Sequence, residues 1–266
     1  ELQSGFKLIT TGTPLENRLE DIYSIAQFLD PHLLSPLWRF AAEHFMISRT
    51  KKNKIEGYRN LESLNRKLKN LVVRRRKEDV LKDLPEQVVN TYFVAMTREQ
   101  GELHESYRTP LAAILKKKYI TPMDLRHIHK LLLRMRQACN STYLIDRSTN
   151  ISPKLKELAS ILDDLVIQNG RKLVLFSEWT TMTYLIARQL SATGIGFVEL
   201  SGKVPVKKRQ ALIDKFSSDP DCRVFLSTDA GGTGLNLQAA DCVVNFEMPW
   251  NPARLNQRIG RVNRIG

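Results

Sequence analysis

Three arginines near the C-terminus, Arg258, Arg261 and Arg264, stand at positions 0, +3 and +6 of a helical pattern that opens at Pro252. Residues three apart lie on one helix face, so Arg261 and Arg264 can point the same way. Paired guanidiniums suit a triphosphate: they offer planar donors to phosphate oxygens and neutralise charge that grows as a phosphoryl group transfers. A solvated helix with i, i+3 charges has the same spacing, and the segment alone does not choose between the two. A second cluster is Ser227-Thr228-Asp229-Ala230-Gly231-Gly232-Thr233-Gly234, two hydroxyls followed by three closely spaced glycines. Glycine lets backbone amides approach a phosphate and adopt positive φ. A tight strand-to-helix turn asks for the same residues. No Gly-Lys-Ser/Thr follows, so this is not a Walker A loop. Thr11-Gly12-Thr13-Pro14 and Pro249-Trp250-Asn251-Pro252 read as turns by composition.

The elements that must carry these residues follow from periodicity. From Ser152 onward apolar runs alternate with helical patterns: strands at 172–176, 196–200, 223–227 and 242–246, and helices near 153–168, 180–192, 205–217 and from Pro252. That alternation predicts an α/β fold, a parallel sheet covered on both faces. Such sheets bind ligands at the carboxyl ends of their strands, so the loops after Phe176, Ser227 and Phe246 carry the interest. Upstream, residues 7–14 read as a strand end running into a loop, followed by a helix to Leu29. Helices are expected around Leu61–Leu71, 97–118 and 124–139, and a β-type run at Val88–Met96. Trp38, Phe40 and Phe45 are read as core. Boundaries near 31 and 150 divide the chain into 1–30, a basic and mostly helical stretch 31–150, and an α/β part 151–266.

The chain has 266 residues and a formal charge of +13. Residues 49–82 carry a net +9 and residues 108–136 a net +7, so the remainder is −3. A basic middle suits a polyanion, since lysines and arginines near phosphates release condensed counterions; a solvated helical face has the same composition. No apolar run approaches the length of a membrane helix, no strongly apolar amphipathic face accompanies the basic runs, and the first residues do not read as a signal peptide. Cys139, Cys222 and Cys242 are far apart and odd in number, which argues against a disulfide framework or zinc site and for a reducing cytoplasm. His32, His44, His104, His127 and His129 lack ligand spacing and are read as structural or exposed.

Order and spacing say more than any single motif. Thr11-Gly12-Thr13-Pro14-Leu15-Glu16-Asn17 comes first, then Arg74-Arg75-Arg76-Lys77-Glu78-Asp79-Val80-Leu81-Lys82-Asp83-Leu84-Pro85. Leu173-Val174-Leu175-Phe176-Ser177-Glu178-Trp179, the Gly-rich loop, Pro249-Trp250-Asn251-Pro252 and Gln257-Arg258-Ile259-Gly260-Arg261-Val262-Asn263-Arg264 follow. This succession, from Leu8 to Gly266, resembles the Swi/Snf-type ATPases of helicase superfamily two, and their bacterial members more than eukaryotic remodellers.

The resemblance implies two RecA-like lobes that clamp ATP with Mg2+ between them. It identifies 1–30 as the tail of lobe one, 31–150 as the helical insertion and linker region, and 151–266 as lobe two. Arg261 and Arg264 are then catalytic arginine fingers. Gly232, Gly234, Gln257 and Gly260 belong to nucleotide-binding motifs. Ser177 and Thr228 become phosphate contacts on a tracked DNA strand, Trp250 a further DNA contact, and Thr11, Gly12 and Thr13 couple nucleotide state to DNA grip. The implied partner is double-stranded DNA rather than RNA; protein partners such as RNA polymerase stay open, and no membrane is implied. Walker A and DExH motifs are missing: Gly202-Lys203-Val204 lacks the glycine loop and hydroxyl, and Asp163-Asp164 lies in a helical pattern. By this reading the segment alone is inactive and has no metal site of its own. Asp229 departs from the pattern, standing where many relatives have a basic residue, as do Thr233 and Asn263. The alternative is a catalytically inert module with a degenerate helicase lobe that docks nucleic acid or protein.

Overall fold

Four short apolar runs form one parallel sheet in the computed structural model, which describes residues 4–11, 18–48, 50, 54–73, 75, 88–229 and 235–262. The chain divides into two units, Glu1–Gln87 and Val88–Gly266. In the second unit the strands are β3 (Leu173–Phe176), β4 (Gly196–Leu200), β5 (Cys222–Ser227) and β6 (Cys242–Asn245), in the order β4-β5-β3-β6. Side chains alternate across a strand. Leu173, Leu175, Val224 and Leu226 therefore join one core with helices α7 (Pro153–Leu162) and α8 (Thr180–Ala192). Val174, Phe176, Phe225 and Leu200 join the other with α9 (Val206–Ser218), where Phe216 meets Phe225 edge-on at 5.4 Å. The four positions of β3 are all buried, as a central strand covered on both faces requires.

The strand order places a switch point at β3 and β5. The chain leaving β3 passes to α8 on one face, and the chain leaving β5 passes through Leu237 and Ala240 on the other. A crevice between the carboxyl ends of these adjacent strands is the site this topology offers.

Helices α4 (Arg98–Leu115) and α5 (Pro122–Asn140) form an antiparallel hairpin in the same unit, with Leu111, Ile114 and Leu131 between them. Each opens on a capping box: Thr97 with Gln100, and Thr121 with Asp124. Gln100 is fully buried and its amide also donates to Ala138 O at 2.8 Å, which ties the two helices at their sheet-proximal end. A four-residue helix, α6 (Tyr143–Asp146), and the Ser152 cap of α7 complete the connection. Ser152 also donates to Asn140 O at 2.5 Å. A π-helical turn, Asp163–Gln168, extends α7 and ends at Gly170, whose φ of 62° is left-handed.

The first unit packs α1 (Leu19–Leu29), α2 (Leu37–His44), the hairpin of β1 (Phe45–Ile47) and β2 (Ile55–Tyr58), and α3 (Leu61–Leu68) around Leu19, Leu34, Phe40 and Leu64. The hairpin is not evident from the sequence, where Phe45-Met46-Ile47 is too short a run to read. Three expectations are corrected. Trp38 is 74% exposed, because α2 turns Phe40 and His44 inward and leaves Trp38 on the opposite side. Lys7–Thr11 and Val88–Met96 contain no strand. Their residues have β-type character, but a strand exists only where a neighbouring edge accepts its hydrogen bonds, and Val88, Val89 and Phe93 are instead exposed.

Gly196 marks a constraint on the sheet. A Cβ there would lie 2.1 Å from Asp221 O, at the irregularity where Gly196 pairs Cys222 and Phe197 pairs Val224. Gly196→Ala must push the β4–β5 backbones apart, a strain of about 1–3 kcal/mol. The expected outcome is a thermal midpoint several degrees lower, measured by circular dichroism; an unchanged midpoint would contradict this close approach.

Candidate functional site

The site begins with helix α10 (Pro252–Ile259), which starts where Asn251 accepts from the Ala253 N–H at 2.9 Å and Pro252 takes the first helical position. The Pro-Trp-Asn-Pro turn is therefore the cap of the arginine helix. The only buried residue of α10 among those described is Arg258, 3% exposed. Its Nε donates to Asp229 Oδ1 at 2.6 Å, and its Nη1 to Asn245 Oδ1 at 3.0 Å and to the Glu247 carbonyl at 3.3 Å. Its guanidinium stands 5.4 Å over the Phe176 ring. One side chain thus touches residues at the ends of β3, β5 and β6. Arg254, one turn earlier, approaches Asp229 Oδ2 at 3.8 Å.

Ser177 follows β3 and is buried, with its N–H donating to Ser227 O at 3.1 Å. Its hydroxyl donates to Glu247 Oε1 at 2.9 Å, and the Glu178 N–H donates to the same carboxylate. Burial pushes the Glu247 carboxyl up to about 7, against the lowering effect of those two donors; the neighbouring Glu178 raises it further and Arg258 lowers it. Lys154 also faces Glu247, and burial pushes its ammonium down. Thr228 is buried, with its N–H on Leu200 O at 3.1 Å and no partner for its Oγ1 among the described residues. Arg258 Nη2 is likewise buried without a partner among them.

Trp250 is 70% exposed. Arg136 of α5 lies between Trp250 and Trp179, 4.9 Å and 5.2 Å from their rings, pairs with Glu178 at 2.9 Å and donates to Met248 O at 2.8 Å. A cation held between two rings and a carboxylate fixes the Trp250 loop against the helical hairpin.

Of the sequence-predicted residues, Ser177, Thr228, Trp250, Gln257, Gly260 and Arg261 belong to this edge of the sheet. The Arg261 N–H donates to Arg258 O and its carbonyl accepts from the Leu237 N–H, both at 3.1 Å. Thr11 is exposed and belongs to the first unit. Gly12, Thr13, Gly232, Gly234 and Arg264 lie outside the described residues. Sequence reasoning did not assign Arg136, Glu178, Asn245 or Glu247. Only Asp229 and Arg258 had left a signal, the first as a departure from pattern and the second through its helical spacing. No group of three or more metal-type side chains occurs among the described residues. The unpartnered groups of this edge among the described residues, one guanidinium nitrogen of Arg258 and the Thr228 hydroxyl, fit phosphate better than they fit Mg2+.

The Glu247 carboxyl has a consequence for stability. The folded chain keeps its proton up to about pH 7, whereas the unfolded chain loses it near the ordinary value of 4.5. Between those values the folded state binds more protons, so stability falls as pH rises and levels off above about 7, by at most about 3 kcal/mol. Glu247→Gln keeps acceptors for Ser177 and Glu178 but cannot titrate. Urea midpoints at pH 5 and pH 8 are expected to show wild type losing stability relative to the variant; parallel profiles would mean that Glu247 does not titrate in this window.

Two known domain families match the chain. The SNF2-related domain matches residues 1–144 and the helicase conserved C-terminal domain residues 153–266. An uncharacterized ATP-dependent helicase of Mycoplasma genitalium is 28% identical over all of this chain and 25% of its own length. Human TATA-binding protein-associated factor 172 is 26% identical, with 18% of its length covered, and human chromodomain-helicase-DNA-binding protein 1 is 29% identical, with 16% covered. The chain therefore spans a quarter or less of the length of these relatives. The Sulfolobus solfataricus SWI2/SNF2 ATPase core, solved in complex with double-stranded DNA, is 26% identical with a TM-score of 0.59, covering 96% of this chain and 54% of that one. The C-terminal part of the Fun30 ATPase domain shares the fold at 19% identity and a TM-score of 0.58, covering 69% of this chain and 82% of that one. With the parallel sheet, the switch-point crevice and these matches together, the chain belongs to the SNF2-related family, and its Val88–Gly266 unit contains a RecA-like sheet of the helicase C-terminal type.

Proposed function

We propose that this chain is the C-terminal motor part of an ATP-driven double-stranded DNA translocase. The observation that carries the reading is the convergence at one sheet edge of three segments: the loop after β3, the Thr228–Asp229 loop after β5, and the Trp250–Arg261 segment after β6. A RecA-like lobe uses that edge to face a nucleotide held by a second lobe. Arg261 and Arg264 then act as arginine fingers, placing positive charge beside the γ-phosphate as the transferring group separates. Mg2+ bound with the nucleotide would supply charge neutralisation at the phosphates and would be held by Walker A and DExH residues, which this sequence lacks. Without those residues the chain by itself does not hydrolyse ATP.

The DNA contacts follow from the same edge. Trp250 offers an exposed aromatic surface, steadied by Arg136, to a backbone or sugar. Ser177 can reach a phosphate only by releasing Glu247, so its contact is tied to the protonation and position of that carboxyl. On α5, Arg126 and Lys130 are exposed one turn apart, with no carboxylate paired to either among the described residues. They extend the positive surface along the helix that carries Arg136 one turn before its end at Asn140. This strip also supports the second reading, a docking module with an inert lobe; ATP hydrolysis by the intact gene product separates the two.

Two outcomes are expected. In the full-length gene product, Arg261→Ala should lower DNA-stimulated phosphate release by about a thousandfold or more, as loss of an arginine finger does. A wild-type rate would remove the finger assignment. Duplex DNA affinity of the chain should fall by about a hundredfold or more between roughly 50 and 200 mM salt, from counterion release at several phosphates. A flat salt response in fluorescence anisotropy would make the basic strip a solvated surface only.

A further inference from the structure

Helix α10 raises a physical question: what holds it in place. Most surface helices are seated by an apolar stripe. This one buries a single side chain among the described residues, and that side chain is an arginine. Its other attachments include the Asn251 cap at the start and, past its end, Val262 against the Val174–Phe225 core and the Leu237 N–H on the Arg261 carbonyl. Between those points its buried anchor among the described residues is Arg258. Of the acceptors in that grip only Asp229 is a carboxylate, and its 2.6 Å contact is the shortest. Asn245 and the Glu247 carbonyl supply neutral oxygens, and Phe176 supplies a ring face. A buried guanidinium without its charged partner pulls toward water, so the position of the turn that contains it depends on Asp229.

Arg261 leaves the chain one turn after Arg258 and is hydrogen-bonded to it through the backbone, N–H to carbonyl at 3.1 Å. A shift of Arg258 therefore moves Arg261. A finger that works by placing charge at a developing oxyanion tolerates about an ångström of error at a cost of orders of magnitude in rate.

We infer that Asp229 is a positioning residue for phosphoryl transfer: through its buried pair with Arg258 it sets the reach of Arg261, and it ties that reach to the loop that begins at Thr228. This deepens the finger reading above and rests on it. Asp229 itself touches neither nucleotide nor DNA in this account. The pair joins the segment assigned to the tracked strand and the segment assigned to the nucleotide, so displacement of Thr228 by a DNA phosphate is transmitted to the finger helix through the Asp229–Arg258 salt bridge. The second contact of Asp229, Arg254 at 3.8 Å, lies one turn nearer the helix start and supports the same orientation.

The test uses the full-length gene product with Asp229→Asn, which keeps size and one acceptor oxygen but removes the charge. The expected result is a fall of tenfold or more in DNA-stimulated kcat, with the KM for ATP and the affinity for duplex DNA within twofold of wild type. Such a split distinguishes positioning from general loosening, which would degrade all three together. Should Asp229→Asn melt below the assay temperature, Asp229→Glu serves: it keeps the charge and lengthens the arm by one methylene, and a reduced kcat at unchanged KM is again expected. Arg261→Ala is assayed alongside. If Arg261→Ala abolishes hydrolysis while a folded Asp229 variant runs at the wild-type rate, the positioning role is overturned and the finger reading stands. If Arg261→Ala runs at the wild-type rate, the finger reading has failed and this inference falls with it. Parallel losses in kcat, KM and DNA affinity would also overturn it, since Asp229 would then be a structural residue only.

Discussion

Burying a guanidinium is the constraint around which this sheet edge is arranged. A charge taken out of water must be met by a carboxylate and further acceptors, or the fold pays several kcal/mol. Arg258 meets its acceptors at the ends of two strands, β5 and β6, and its ring partner at the end of a third, β3. Those ends are aligned because the strands are parallel and in register, with Phe176 opposite both Ser227 and Asn245. The hydrophobic layers above and below, built by alternation along β3 and over Val224–Leu226 of β5, hold that alignment. The chemistry at the edge and the packing beneath it are therefore one structure: a register slip would expose the apolar faces and strip Arg258 of its partners together.

A second charge does comparable work between layers. Arg136 belongs to the helical hairpin, yet its guanidinium lies between Trp179 and Trp250 and pairs with Glu178. The hairpin is joined to the rest of its unit by this contact and by a polar seam in which Ser152 donates to Asn140 O and Lys154 to Asn140 Oδ1. Polar seams of this kind are orientation-specific in a way apolar contacts are not, because each donor needs its acceptor in line. Glu247, buried between Ser177, Lys154 and Arg258, is a carboxyl whose charge burial opposes.

Much was legible from the amino acids in order. Period-two and period-3.6 patterns located the strands and helices from Ser152 onward to within a few residues, since burial on both faces leaves an unbroken apolar run and a covering helix leaves a stripe. The Asn251 cap was readable as a turn in Pro249-Trp250-Asn251-Pro252, whereas the caps at Thr97, Thr121 and Ser152 emerge only from the structure. The order of short motifs pointed to the family. Errors fell where local propensity had no partner to act on: Val88–Met96 has the composition of a strand but pairs with no strand among the described residues, and Trp38 lies on the wrong side of a short helix.

The sequence by itself determined the alternation of elements, the basic middle and the arginine spacing, because each is a property of neighbours along the chain. Tertiary structure alone decided which polar groups meet. Arg258 finds Asp229 across 29 positions, Ser177 finds Glu247 across 70, and Arg136 finds the Met248 carbonyl across 112. Those meetings depend on the strand order β4-β5-β3-β6, which sets far-apart strand ends side by side, and no local pattern encodes that order. For that reason Asp229 reads as an irregular residue in a glycine-rich loop when only its neighbours are considered, and as the counter-charge of the buried Arg258 once the sheet is folded.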